Sequence, residues 1–203
     1  AASFYFSSFS LELALFICLF ILGLYYLLTI NRLEKLVQFP AAIALTLMGA
    51  IYLSFTLNYF TWLREDFGPL YIVFMLAVIN IGDSIAMLAG RWWGKRKFAP
   101  LASPKKTWAG SVGGIVSGVA AGVLFQQLFL AEQAVLWKTI VIAALIQAVA
   151  QVSDPVESLF KRASGVKDSS NLLPGHGGFF DRVDSLILAT PFFYYFLVYF
   201  GMN

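Results

Sequence analysis

Charge is scarce in this 203-residue chain. Lys, Arg, Asp and Glu together make up 12% of it, against about 25% in an ordinary soluble domain, while 60% of the residues are hydrophobic and the mean hydropathy is +0.78. That balance excludes a typical water-soluble domain and points to an integral membrane protein. Cysteine is nearly missing: Cys18 stands alone in an apolar run, so no intrachain disulfide forms and the redox compartment cannot be read. Histidine is equally rare, with His176 the one example, which excludes a Cys/His zinc cluster. No Ser–His–Asp set has a distinctive context. Basic residues are too few and too close to apolar runs for a nucleic-acid partner. Long-period repeats, low-complexity tracts and linkers are absent, so 1–203 reads as one transmembrane catalytic domain. The chain opens on Ala1 with no basic region followed by a cleavage site, and its start reads as a truncated or processed end, not a signal peptide.

What the chain has in abundance is long hydrophobic runs and aromatics. Twenty Phe, nine Tyr and five Trp suit lipid contact and anchoring at the membrane interface. About 20 apolar residues cross a hydrocarbon core of roughly 30 Å, and six such runs stand at about 11–30, 40–60, 69–90, 108–130, 135–152 and 185–200. If they alternate in direction, the segments 31–39, 91–107 and 153–184 share one side. These hold two, six and four Lys and Arg, twelve of the chain's fourteen; Arg64 and Lys138 fall on the other side. So strong a positive bias puts the three segments in the cytoplasm. The expected architecture is an all-α, polytopic helical bundle of about six transmembrane helices with a polar active site at its cytoplasmic face.

The fourth run carries Gly110, Gly114, Gly118 and Gly122, spaced by four. Three overlapping GxxxG units make a flat ridge where another helix backbone can come close, in intramolecular packing or in a homodimer. Asp83 lies inside the third run. A carboxylate there costs about 2.5–3.5 kcal/mol at the helix centre and less near the interface, so it faces a polar cavity or partner, or the run ends earlier. In the basic segment, Arg91, Lys95, Arg96 and Lys97 read as a cluster attracting anionic headgroups. Ser103, Lys105, Lys106 and Thr107 differ, because hydroxyls and ammonium groups converge just before a helix whose N-terminus favours anions. This is a candidate phosphate site, although not a P-loop, since the Gly-rich lead and the GK[ST] order are missing.

The densest polar stretch is 158–184, SLFKRASGVKDSSNLLPGHGGFFDRVD. With Asp154 and Glu157 just upstream it holds five of the eleven carboxylates, Asp154, Glu157, Asp168, Asp181 and Asp184. Asp154 and Glu157 form one pair at i, i+3, and Asp181 and Asp184 a second that shares a helix face. Carboxylates from two helix ends, flanked by Lys and Arg, suit Mg²⁺ bridged to substrate phosphates, which needs one or two protein carboxylates; the alternative is a solvated loop of ion pairs. The glycines around His176 let backbone approach a ligand closely.

At these residues a resemblance emerges. Ser158-x-Phe160-Lys161-Arg162-x4-Lys167-Asp168-x-Ser170-x2-Leu173-Pro174-x-His176-Gly-Gly-Phe179-x-Asp181-Arg182-Val183-Asp184 resembles the signature of bacterial phosphatidate cytidylyltransferases, the CDP-diacylglycerol synthases, with every fixed position filled. Ser103-Pro-Lys-Lys-Thr-Trp108 and Asp83-Ser84, with Gly90 and Gly94, are similar to two further motifs of that family in the same order. Departures are Ile85 and Met87, Ala109, and Ser153 and Pro155 around a retained Asp154. The likeness covers roughly 80–185. It implies that two or three N-terminal helices of the family are absent here, and that CTP and phosphatidic acid yield CDP-diacylglycerol and pyrophosphate with one or two Mg²⁺ ions at a bacterial inner membrane.

On that resemblance Asp154 and Asp181 are the first metal ligands, with Asp83 and Asp184 behind them. Ser103, Lys105, Lys106 and Thr107 hold the CTP phosphates, joined by Lys161 and Arg162. Lys167, Asp168, His176 and Arg182 serve the reacting phosphates, with His176 able to contact nucleotide or to shape its turn. The expected partners are CTP, phosphatidic acid and the bilayer, and a second copy of the chain. Rival readings are a CTP-dependent polyprenol or phytol kinase, an archaeal-type ether-lipid cytidylyltransferase and, from another class, a transporter using Asn80 and Asp83.

Overall fold

The computed structural model describes residues 11–30, 33–100, 102–163 and 180–202. Six helices stand at the six apolar runs: α1 (Leu11–Thr29), α2 (Leu33–Asp66), α3 (Pro69–Trp93), α4 (Trp108–Phe129), α5 (Leu136–Ala163) and α6 (Phe180–Phe200). Between α3 and α4 lies a hairpin of β1 (Lys97–Ala99) and β2 (Ser103–Thr107). The last four helices contain stretches long and apolar enough to cross a membrane. The apolar stretches in α1 and α2, Phe16–Thr29 and Phe39–Gly49, are shorter. The chain is an all-α, multi-pass membrane protein.

The chain divides into two compact units, Ala1–Phe55 and Thr56–Asn203, with α2 continuing from the first into the second. In the first, Tyr26 of α1 meets Phe39 of α2 edge to face at 5.3 Å. The second holds the main core: Leu63, Phe74, Met75, Val78, Ile142, Ile146 and Phe193 are all fully buried. Phe74 stacks on Phe193 at 5.8 Å and meets Phe125 edge-on at 5.9 Å. Tyr59 and Tyr195 join their hydroxyls at 2.8 Å, and Tyr194 donates to Asp66 at 2.7 Å.

Local chemistry explains several boundaries. Gly68 has φ +95°, a conformation closed to most side chains, and Pro69 then starts α3 with its ring already at a helical φ. Thr107 caps α4, its hydroxyl oxygen accepting from Gly110 N at 3.2 Å. At the opposite end of α4, Gln126 donates to the Ala134 carbonyl at 2.9 Å and Val135 N to the Met202 carbonyl at 2.6 Å, tying the α4–α5 turn to the end of the chain.

Two features depart from the sequence reading. The basic segment is not all loop: β1 and β2 pair antiparallel, Lys97 with Thr107 and Ala99 with Ser103. Pro104 is tolerated because a two-stranded hairpin has edge positions that donate to nothing, and Phe98 packs edge-on against Trp108 at 5.0 Å. The fifth helix also does not stop at 152 but continues through Pro155 to Ala163. Proline's φ fits a helix; what it removes is one N–H, and with it the bond to the carbonyl four residues back.

The glycine ridge lies inside the protein. Gly110, Gly114, Gly118 and Gly122 are all buried. A Cβ on Gly114 would stand 2.5 Å from Gln151 Nε2 and 2.9 Å from Ala86 Cβ, and one on Gly122 would stand 2.9 Å from Ala143 Cβ. Of the two uses open to the ridge, the helices α3 and α5 take it.

Candidate functional site

Helix direction brings the polar residues together. The end of α3, the hairpin, the start of α4, the end of α5 and the start of α6 meet at one end of the second unit, opposite the α4–α5 turn. Because β2 runs straight into α4, the hairpin delivers Lys106 to the flank of α5. There Lys106 Nζ lies 2.9 Å from Asp154 Oδ2 and donates to the Gln151 carbonyl at 3.0 Å. Both side chains of the ion pair are about one-third exposed or less, so the pair is reachable from the polar end.

Asp83 projects from α3 into the same region. Its Oδ1 accepts from Gln147 Nε2 at 2.9 Å, while its neighbours Asn80 and Ser84 turn back onto carbonyls of their own helix. Hydrogen bonds and an ion pair along α5 link the elements: Gln147 reaches Asp83 of α3, Lys106 of the hairpin reaches the Gln151 carbonyl and Asp154, and Ser153 reaches the Asp184 carbonyl of α6.

Asp184 is half-buried, and its Oδ1 accepts from Ser185 N at 2.6 Å. Its carbonyl receives the hydroxyl of Ser153, whose oxygen in turn accepts from Leu188 N at 3.3 Å. A fully buried serine of α5 is therefore inserted between Asp184 O and Leu188 N, groups four residues apart on α6.

The expected residues fall into four groups. Asp83, Lys106, Asp154 and Asp184 converge. Ser103 and Lys105 lie nearby on β2, Lys105 exposed, and Thr107 is buried with its hydroxyl oxygen at the cap. Glu157 does not join Asp154 as a pair on one ligand: it is buried and bonded to Lys161 at 2.6 Å, while Arg162 is exposed. Lys167, Asp168 and His176 lie outside the described residues. Asp181 and Arg182 fall in the first turn of α6, but their side chains also lie outside the description.

Gln147 and Gln151 escaped the sequence reading, and Ser111 and Ser153 were not expected to take part in this polar network. Gln147 and Gln151 sit one turn apart on α5. Gln151 donates to the Ser111 carbonyl at 3.0 Å and its side-chain oxygen receives the Ser111 hydroxyl. The available signal was two amides at i, i+4 in an otherwise apolar run, where each must find a partner or remain costly.

Among the described residues no group of three or more Asp, Glu, His or Cys is close enough to hold a metal by itself. The donor set nevertheless fits Mg²⁺. Its donors are hard oxygens, one or two carboxylates suffice when phosphates supply the rest, and neither Asp83 nor Asp184 has an ion pair among the described residues.

Comparison with known proteins shows the family. The family model described as the cytidylyltransferase family matches residues 2–200. The chain is similar to proteins named phosphatidate cytidylyltransferase. One from Brucella abortus (strain 9-941) is 43% identical over 150 residues, covering 73% of this chain and 55% of the relative. One from Haemophilus influenzae is 40% identical over 132 residues, 64% of this chain and 46% of the relative. One from Bacillus subtilis is 39% identical over 157 residues, 76% of this chain and 58% of the relative. The chain spans about half the length of the curated relatives it matches.

Proposed function

We propose that this chain, which belongs to the cytidylyltransferase family, carries the catalytic centre of a phosphatidate cytidylyltransferase. Its substrates are CTP and phosphatidic acid, and its products CDP-diacylglycerol and pyrophosphate. The observation that carries the reading is the ion pair of Lys106, from the hairpin, with Asp154 of α5, on a helix whose neighbouring residues Gln147 and Ser153 bond to Asp83 and Asp184. The names of its relatives support it independently.

The chemistry asks little of a general base. The lipid phosphate is already an anion; one of its oxygens forms the bond to the α-phosphorus of CTP while the bond from that phosphorus to the bridging oxygen breaks, and pyrophosphate leaves with the electron pair. The difficulty lies in bringing anions together, and positioned cations supply that. Mg²⁺, held by Asp154 and Asp181 with Asp83 and Asp184 in support, would neutralise charge on the transferring phosphates.

The remaining work belongs to side chains. Lys105, exposed at the hairpin, meets incoming phosphates first, and Lys106 releases Asp154 to bind them. Ser103 orients the phosphate chain and Arg162 extends the positive rim, whereas Thr107 is used at the α4 cap and Lys161 by its pair with Glu157. Lys167 and Arg182 balance the leaving pyrophosphate, with Asp168 and His176 shaping the turn beside them. The cytoplasmic face of a bacterial inner membrane is the proposed location, supported by the twelve-to-two distribution of basic residues. A homodimer belongs to the proposal only through a face other than the glycine ridge, since that ridge is buried within the protein.

The deciding experiment supplies purified protein with phosphatidic acid, Mg²⁺ and CTP labelled at the α- or the γ-phosphate. Label from the α-position in the lipid product, with pyrophosphate released, is the expected result. Transfer of γ-label to lipid with release of CDP would replace this reading by a CTP-dependent lipid kinase.

A further inference from the structure

Gln147 sits in the middle of α5 and is completely buried. Its slot is cut by glycines: a Cβ on Gly82 of α3 would collide with its amide, and one on Gly118 of α4 would stand 3.3 Å from its Cβ and Cγ. Two helices thus give up side chains where this amide lies. Packing does not account for an amide there, because an apolar side chain of similar volume would fill the slot without burying polar atoms. The amide is also only half satisfied. Nε2 donates to Asp83 Oδ1 at 2.9 Å, whereas Oε1 is buried with no hydrogen-bond partner among the described residues. A buried acceptor without a donor opposes folding, so the arrangement favours something other than stability.

What it favours is the direction of Asp83. Asn80 and Ser84, its neighbours on α3, bond to their own backbone and leave the carboxylate to others. An amide fixed in a glycine-lined slot and bonded to one carboxylate oxygen sets the rotation of that carboxylate, and so the direction of its second oxygen. We infer that Gln147 is a positioning residue: by holding Asp83 Oδ1 it fixes the other Asp83 oxygen for a divalent cation bound with the nucleotide phosphates. The inference rests on the reading of Asp83 as a cation ligand given above. Partners that orient a metal-binding carboxylate in this way typically change affinity by about 10–100-fold when removed.

The test uses the full chain, purified in detergent, with Mn²⁺ as the probe and its binding read by electron paramagnetic resonance with CTP present and phosphatidic acid left out, so that nothing turns over. Gln147→Met keeps the volume and removes the donor. It is expected to weaken Mn²⁺ binding about tenfold or more and to shift the Mg²⁺ dependence of turnover by the same factor, while KM for CTP at saturating Mg²⁺ moves less than about twofold. Should Gln147→Met fail to fold, Gln147→Asn, too short to keep the bond to Asp83, is expected to give the same loss. In an Asp83→Asn background, Gln147→Met should change Mn²⁺ binding no further. Unchanged binding in the folded Gln147 variants, or losses that multiply in the double variant, would overturn the inference while leaving the proposed reaction standing. Wild-type protein that binds no Mn²⁺ and needs no divalent cation would remove both.

Discussion

Lys106 Nζ donates to the Gln151 carbonyl at 3.0 Å, and that is the carbonyl left without its regular helical partner because residue 155 is proline. The break in the α5 ladder is thus filled by the lysine that also pairs with Asp154 at 2.9 Å. An apparent helix-breaker is therefore part of how the site holds its cation.

The first prediction follows from that relationship. Pro155→Leu restores an N–H that competes for the Gln151 carbonyl, so Lys106 keeps Asp154 but loses its second acceptor. One such bond is worth about 1 kcal/mol, and KM for CTP is expected to rise about fivefold with kcat little changed. Steady-state kinetics check it; an unaltered KM would mean that Asp154 alone fixes Lys106.

Lys106 itself is predicted to matter more. Lys106→Met removes the cation and leaves Asp154 without its ion pair. Hydrogen bonds to charged groups contribute about 1.5–3 kcal/mol, so kcat/KM for CTP should fall about 10–100-fold. Lys106→Arg, which keeps charge but changes shape, should recover part of this.

The third prediction concerns Asp181. Asp181→Asn in folded protein should abolish Mg²⁺-dependent transfer of CMP to lipid. Activity within about tenfold of wild type would take Asp181 out of the metal set, since loss of a direct ligand should exceed the effect of a supporting partner.

Ser153 offers a prediction about stability. Its hydroxyl lies between the Asp184 carbonyl and Leu188 N. Ser153→Ala lets the α6 bond close directly and should cost no more than about 1 kcal/mol. Ser153→Val adds bulk in a fully buried position and cannot hydrogen-bond, so it should cost about 1–3 kcal/mol. Thermal unfolding in detergent measures both.

The glycine ridge supplies the last prediction. Gly122→Ala places a Cβ 2.9 Å from Ala143 Cβ and should destabilise the protein by about 1–3 kcal/mol. Its mass by light scattering should not change, because the ridge packs within one chain. A dimer lost on this substitution would show that the face serves both purposes.

The sequence by itself determined the class of this protein and much of its site. Apolar runs of about 20 residues leave the backbone no choice but helix in a bilayer, so the positions of six helices were legible. The motif around Lys161, Asp181 and Asp184 carried the family. Charged residues were legible for the same reason as the helices: in so greasy a chain each one is conspicuous. What could not be read was which polar groups meet. The apolar run ends at 152, and local rules see at Pro155 only the lost N–H, not the lysine from a hairpin some fifty residues earlier that takes the freed carbonyl. Glu157 looked like a partner for Asp154 because they stand three apart, yet one turned to Lys161 and the other to Lys106. Gln147 and Gln151 gave no alarm, being uncharged, and the glycines that admit them lie on other helices. Periodicity and solvation act along the chain and decide what each segment is; the close approach of α3, α4 and α5 decides whose oxygen Gln147 holds, and only the tertiary structure contains it.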